Sequence, residues 1–213
     1  MKEGMMKSLL KKTLLIALVS TLYVTMQAAM ATTGQTSQVQ QENRIKELQD
    51  YLNGIRTLRA NFSQNNQDGT ASSGKIYMKR FGNASFGKLR LDYTPPTQIK
   101  IIANGEVLRY EDGEKKDISE YSIDRTPVSF LLRHKIDFSD GLEVKNMKTE
   151  GEKIYLTIIR PGDDDVTLTL IFDTSPMLRL QGWSVVDAQA NKTHVDLAQV
   201  EIGIPLEENL FTF

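Results

Sequence analysis

From Leu58 to Val200 the chain keeps returning to a period of two, and little else about it constrains the fold so strongly. Leu58, Ala60 and Phe62 alternate with Arg59, Asn61 and Ser63. Ile76, Met78 and Arg80 alternate with Tyr77, Lys79 and Phe81, and Leu89, Leu91 and Tyr93 with Lys88, Arg90 and Asp92. Successive side chains of a strand point to opposite faces, so each run has one apolar and one polar face. Further runs are expected at Ile99–Ala103, Val107–Tyr110, Lys116–Ser122, Leu142–Lys148, Lys153–Arg160, Val166–Phe172, Leu180–Val186 and Thr193–Val200. Short turn sequences separate them: Gly69–Gly74, Thr94-Pro95-Pro96, Asn104-Gly105, Asp112-Gly113, Glu150-Gly151, Pro161–Asp165, Thr174-Ser175-Pro176 and Ala188–Asn191. Strand following strand through tight turns makes an antiparallel, meandering sheet of about ten strands.

Two segments depart from this period. Within Glu42–Leu58, Ile45, Leu48, Leu52, Ile55 and Leu58 recur at spacings of three and four, the apolar stripe of an amphipathic helix. Thr126–His134 (TPVSFLLRH) offers Thr126 as a cap and Pro127 at the first helical position, followed by an apolar run: a short helix. It either plugs the sheet as core or covers a cavity, and periodicity does not decide between these.

The first residues are of another kind. Lys2, Lys7, Lys11 and Lys12 precede the short apolar run Thr13–Val24, and Ala29-Met30-Ala31 offers small residues for cleavage. This is the pattern of a secretory signal peptide, residues 1–31, and the run is too short for a membrane span. Residues 32–41 read as a polar, flexible arm and 42–213 as one domain. Removing the signal takes away four lysines and one glutamate and moves the net charge from −1 to −4. With no long basic block, that argues against nucleic-acid binding. The chain has no cysteine, which excludes disulfides, thiolate metal sites and cysteine nucleophiles.

Motifs for chemistry are sparse. Gly82–Lys88 (GNASFGK) has the glycine and lysine spacing of a phosphate loop, but Leu89 stands where Ser or Thr should hold the metal and a strand follows, so the match reads as coincidence. His134 and His194, the two histidines, lie outside any ligand cluster. No Ser sits in G-x-S-x-G, and a hydrolase lacks a visible nucleophile–base pair. Asp163-Asp164-Asp165 lacks the remaining spacing of a calcium loop and reads as a solvated turn. Arg80 shares the inward phase of Ile76 and Met78. Its head either snorkels to water or is buried on backbone carbonyls of a neighbouring element.

Taken together, these pieces resemble the periplasmic outer-membrane lipoprotein carrier family (LolA-like), over about Arg44–Phe213. The resemblance lies in Leu52-Asn53-x-Ile55-x-Thr57-Leu58-x-Ala60-x-Phe62-x-Gln64, Gly87-Lys88-Leu89-Arg90-Leu91-Asp92-Tyr93, Pro95-Pro96, Asn104-Gly105 and Thr126-Pro127. It continues in Leu168-x-Leu170-x-Phe172, Leu180-x-x-Trp183-x-Val185-x-Asp187 and Leu210-Phe211-x-Phe213. The Trp–Asp pattern looks most like the alphaproteobacterial branch. The resemblance implies a mainly β fold with α: an unclosed antiparallel β-barrel, or half-barrel, covered by the N-terminal helix and a short lid helix. It implies a periplasmic chaperone and not an enzyme, without cofactor or metal. The partners implied are acylated lipoproteins, an inner-membrane ABC transporter that releases them and, in many bacteria, an outer-membrane receptor lipoprotein; the carrier itself is a monomer.

The residues expected to line the lipid cavity are Phe62, Ile76, Met78, Leu89, Leu91, Ile99 and Ile101, with Pro127, Val128, Phe130, Leu131 and Leu132 from the lid. Their alternative is ordinary core, and some of them must face the N-terminal helix. The resemblance makes Arg80 the residue that locks the lid. Phe81 stands where the family usually has Pro, and an ungapped match would place Ser85 at the arginine position. Another lipid or glycolipid as cargo, or lipid sensing, are the alternative functions on the same fold.

Overall fold

The computed structural model describes residues 38–80, 85–126 and 128–213. The signal segment, residues 32–37 of the arm, Phe81 and Pro127 lie outside the described residues. The chain forms two units, Met1–Lys46 and Glu47–Phe213. Residues 38–46 of the first are helical. The second opens with helix α1, residues 47–54.

Eleven strands follow: β1 Thr57–Asn66, β2 Ala71–Lys79, β3 Lys88–Tyr93, β4 Ile99–Ala103, β5 Val107–Asp112, β6 Asp117–Ser122, β7 Glu143–Glu150, β8 Lys153–Arg160, β9 Asp163–Asp173, β10 Arg179–Val186 and β11 Lys192–Ile202. They form one sheet in the order β6-β5-β4-β3-β2-β1-β11-β10-β9-β8-β7. Every neighbouring pair is antiparallel. β6 and β7 are its two edges and do not pair with each other, so the sheet is unclosed, as expected. Between them run a single 3-10 turn, Ile123–Arg125, and the short helix α2, Ser129–Leu132. A further 3-10 turn, Glu208–Phe211, lies near the C-terminus.

The strand pattern fails where local chemistry competes with it. The first helix does not reach Leu58. It stops at Gly54, a poor helix former, and β-branched Ile55 and Thr57 carry the chain into β1, where Leu58 pairs with Met78 and Ile202. The loop expected at Gly69–Gly74 is shorter. Asp68 accepts bonds from the amide and hydroxyl of Thr70, Gly69 takes a φ of 83°, and β2 begins at Ala71. Gly74 therefore lies inside β2, where an added Cβ would collide with the Asp92 carbonyl and meet the Phe62 ring at 2.8 Å. Asn104 and Asp112 do not form two-residue turns. Their carboxamide and carboxylate accept the amides two and three residues on and hold longer loops. The turn before β9 is confined to Pro161-Gly162, and Asp163 is already strand.

α2 is one turn long, and Thr126 does not cap it. Its hydroxyl donates back to the Ile123 carbonyl at 2.7 Å instead. Leu48, Leu52 and Ile55 are buried at one end of the sheet's inward face. Leu52 and Ile55 meet Leu58, Ile76, Met78, Leu180 and Leu197 around a void of about 20 Å³. The C-terminal segment crosses the outward face of β2, β3 and β5. Lys79 donates to the Leu206 carbonyl at 2.9 Å, Arg90 donates to the Leu210 carbonyl at 3.2 Å, and the Arg109 guanidinium lies 3.9 Å from the centre of the Phe213 ring. Glu208 accepts from Lys79 and Lys88, and these bonds hold its carboxyl at about 2.

Two glycines give opposite expectations. Gly74→Ala should cost about 1–3 kcal/mol, because the methyl has no room beside Phe62. Gly54→Ala, where nothing lies within 4 Å of the new methyl, should raise stability by up to about 1 kcal/mol. Urea denaturation of the two variants checks both, and equal effects would refute the packing assigned to Gly74.

Candidate functional site

α1 covers only one end of the inward face. At the other end the sheet, with Tyr121, Arg125, Thr126, Val128 and Leu131, borders an open-sided cavity of about 470 Å³. Phe62, Leu89, Leu91, Ile101 and Leu108 supply one side of its wall, and Leu168, Trp183, Val185 and Val195 the other. Val128 and Leu131 form its roof. That β3, β6 and β9 contribute to one space means the sheet curves around it.

The polar groups in the wall are few. The Tyr93 hydroxyl donates to Gln64 Oε1 at 2.7 Å, while the Gln64 amide donates to Asn66 at 2.9 Å. Burial pushes the Tyr93 phenol up to about 12, and its ring packs edge-on against Phe62 with centroids 5.0 Å apart. Tyr110, Tyr121, Arg125, Thr126 and Thr193 complete the wall. Among the described residues no buried side-chain nitrogen or oxygen lacks a partner. Such a space suits apolar chains and offers little to a polar ligand away from its rim.

Phe62, Leu89, Leu91, Ile101, Val128 and Leu131 therefore stand in the cavity wall. Ile76 and Met78 share their phase but lie under α1, around the smaller void. Ile99 points inward at the start of β4 and is half-buried, opposite Asp112, outside the wall. Phe130 turns away from the cavity beneath the Arg160 guanidinium, 5.5 Å from its ring centre. Leu132 is wholly buried, and its carbonyl accepts the Gly87 amide at 2.6 Å. The wall residues missed from the sequence, Trp183, Val185, Val195 and Leu168 among them, carry the same alternation as the others. They come from β9–β11, and only the curvature of the sheet brings them opposite β3 and β4.

Arg80 is 2% exposed and, among the described residues, reaches no carboxylate. Its Nε donates to the Ile55 carbonyl at 3.0 Å, and Nη2 donates to the same oxygen at 2.7 Å and to the Leu52 carbonyl. These are carbonyls at and just past the C-terminal end of α1, where partial negative charge gathers; that of Leu52 also accepts the Ile55 amide at 3.2 Å. Nη1 donates to the Arg133 carbonyl at 3.3 Å, one residue past α2. Of the two readings open for Arg80, the geometry is that of a buried guanidinium on carbonyls of neighbouring elements. Burial, with a smaller contribution from Arg56, lowers its pKa to about 10, so it remains a cation at neutral pH. Gly87 leaves space for its stem: a Cβ there would meet Arg80 Cγ at 2.8 Å.

Other polar bonds fasten the same segment. Asn53 donates to the Ile136 carbonyl at 2.8 Å and accepts its amide at 2.9 Å. Gln49 accepts the Phe138 amide at 2.9 Å. Ser85, the other candidate for the arginine position, accepts the His134 amide through its carbonyl at 3.2 Å. Arg160 donates to the Ser129 hydroxyl at 3.0 Å. The roof of the cavity is apolar inside and held from outside by hydrogen bonds.

Ser184 Oγ lies 2.8 Å from His194 Nδ1, and His194 Nε2 lies 3.1 Å from Asp196. A serine, a histidine and a carboxylate thus do meet, where no local motif announced them. They alternate with Trp183, Val185, Thr193 and Val195 of the wall and so point away from the cavity. Among the described residues no group of three or more His, Cys, Asp or Glu could hold a metal ion.

Residues 53–213 match the family model described as "Outer membrane lipoprotein carrier protein LolA". The outer-membrane lipoprotein carrier protein of Methylococcus capsulatus is 25% identical over 175 residues, 78% of this chain and 81% of that protein. That of Pseudomonas aeruginosa PAO1 is 24% identical over 208 residues, 92% of this chain and 94% of that protein. Among solved structures, the LolA superfamily protein NE2245 of Nitrosomonas europaea matches 79% of this chain and 97% of its own at 11% identity, with a TM-score of 0.43.

Asn53→Ala removes both bonds to Ile136 and strands two backbone groups. It should cost about 1–3 kcal/mol and speed amide hydrogen exchange at Ile136 and Phe138 more than in the strands. Unchanged exchange at these two amides would show that the segment is held elsewhere.

Proposed function

Because the chain belongs to the outer-membrane lipoprotein carrier family, we propose that it is an exported periplasmic chaperone. It takes up the acyl chains of lipoproteins as an inner-membrane ABC transporter releases them, and it delivers them to the outer membrane, directly or through a receptor lipoprotein. The observation that carries this reading is the apolar cavity of about 470 Å³ under a roof fastened by polar bonds.

The energetics ask for such a device. Each methylene exposed to water costs about 0.8 kcal/mol, so a chain of about fifteen costs on the order of 12 kcal/mol. Burying the chain against Leu91, Ile101, Trp183 and Val195 removes most of that cost. A carrier that bound so strongly and nothing more would never unload. The roof works against the load: entry breaks bonds from Arg80, Asn53 and Gln49 to the 133–138 segment, and unloading restores them. At about 1 kcal/mol each, a few such bonds lower the affinity enough for transfer. Arg80 suits this role because its cation stays in place on α1 while its bond to Arg133 opens.

Arg80→Leu keeps the apolar bulk and removes the donors. It should take up lipoprotein from energised inner-membrane vesicles about as well as the natural chain, yet pass it to outer membranes at least several-fold more slowly. Release into the soluble fraction by neither protein, with a control carrier active, would overturn the carrier reading. Equal transfer by both would overturn the role of Arg80 alone.

A further inference from the structure

The cavity's size matches one kind of occupant. A methylene takes roughly 30 Å³, so a space of about 470 Å³ is on the scale of one chain of about sixteen methylenes. That is one long acyl chain. A load with more chains must first push the roof aside, which is the loaded state of the carrier reading and not the closed one.

The rim adds a second limit. Among the described residues, Arg125 is the one charged side chain in the cavity wall. It is exposed and makes no ion pair among the described residues. Asp124, beside it in the chain, accepts a bond from the Ser122 hydroxyl and feels the charge of Arg125, but it does not line the cavity. The hydroxyl-bearing Tyr110, Tyr121 and Thr126 stand in the same wall. The apolar space thus opens past one cation and a set of neutral hydrogen-bonding groups, with no carboxylate in the wall to repel an anion.

We propose that the closed cavity binds a single-chain amphiphile with an anionic head group. The chain lies between Leu91, Ile101, Trp183 and Val195, and the head pairs with Arg125. This deepens the carrier reading and rests on it, since both require the cavity to accept acyl chains. The shared chemistry is one chain and one anion, which a long-chain fatty acid and a lysophospholipid both supply. Neither needs the bonds of Arg80 to break, so such a ligand occupies the carrier without opening it and competes with cargo for the same space.

The chain has a single tryptophan, Trp183, and it lines the cavity. Quenching of its fluorescence by acyl chains brominated near the terminal methyl therefore reports occupancy of this site. Three probes with the same brominated sixteen-carbon chain are titrated: the fatty acid, the lysophosphatidate and the uncharged monoacylglycerol. The two anions should bind with one chain per protein, each about tenfold more tightly than the monoacylglycerol. Arg125→Gln should bring the anions to the level of the neutral probe and leave that probe unchanged, and Arg125→Lys should keep most of the preference. The fatty acid binding more tightly than the lysophosphatidate assigns the carboxylate as the preferred head, and the reverse order assigns the phosphate. If Arg125→Gln leaves the preference for anions intact, or the natural chain shows none, the proposal fails while the carrier reading stands. If none of the three probes quenches Trp183, both fail together.

Discussion

An open sheet with one apolar face must cover that face or leave it to something else. Here eleven strands make a single antiparallel sheet whose edges, β6 and β7, never meet. Within the Glu47–Phe213 unit α1 fills one end of the inward face. The chain that joins the two edges must pass over the remainder, and it does so as a 3-10 turn and a single helical turn. The space left between the sheet and this crossing segment is the cavity. It lies where the apolar face runs on past α1, which places function and topology in the same feature.

The roof over that space combines two kinds of interaction that respond oppositely to a load. Val128 and Leu131 gain from any apolar occupant. The bonds made by Arg80, Asn53, Gln49 and Arg160 do nothing for an occupant and are lost when the segment moves. Arg80 is the sharpest case. A buried guanidinium without a carboxylate is tolerable because its donors meet carbonyls at the negative end of α1. Removing the roof strips one bond and leaves those on α1, so the residue can serve the empty and the loaded forms alike.

Much of this is legible in the amino-acid order. Period-two runs mark the strands, and Arg80 sits on an inward phase where an arginine needs an explanation. What the order of residues hides is set by tertiary packing. Ile76 and Leu91 have the same phase and the same chemistry, and register pairs them directly, yet one lies under α1 and the other in the cavity wall. The difference depends on where α1 ends, and Gly54 decides that against an apolar stripe that continues to Leu58. Trp183 and Val195 join the wall only because the sheet curves, and Ser184, His194 and Asp196 meet only through the register of β10 and β11. The C-terminal segment gives no periodic signal at all. It is placed by cations on the outward face of β2, β3 and β5.

The central claim is that acyl chains lie in the space between the sheet and the 123–131 segment, and that a full load moves that segment. Nuclear Overhauser contacts between a bound, isotope-labelled lipoprotein acyl group and the protein's methyls test it most directly. The expected result is contacts to Leu91, Ile101, Leu131 and Val185, together with loss of protection at the Ile136 and Phe138 amides. Contacts confined to the outward face, or full contacts with those amides still protected, would contradict it.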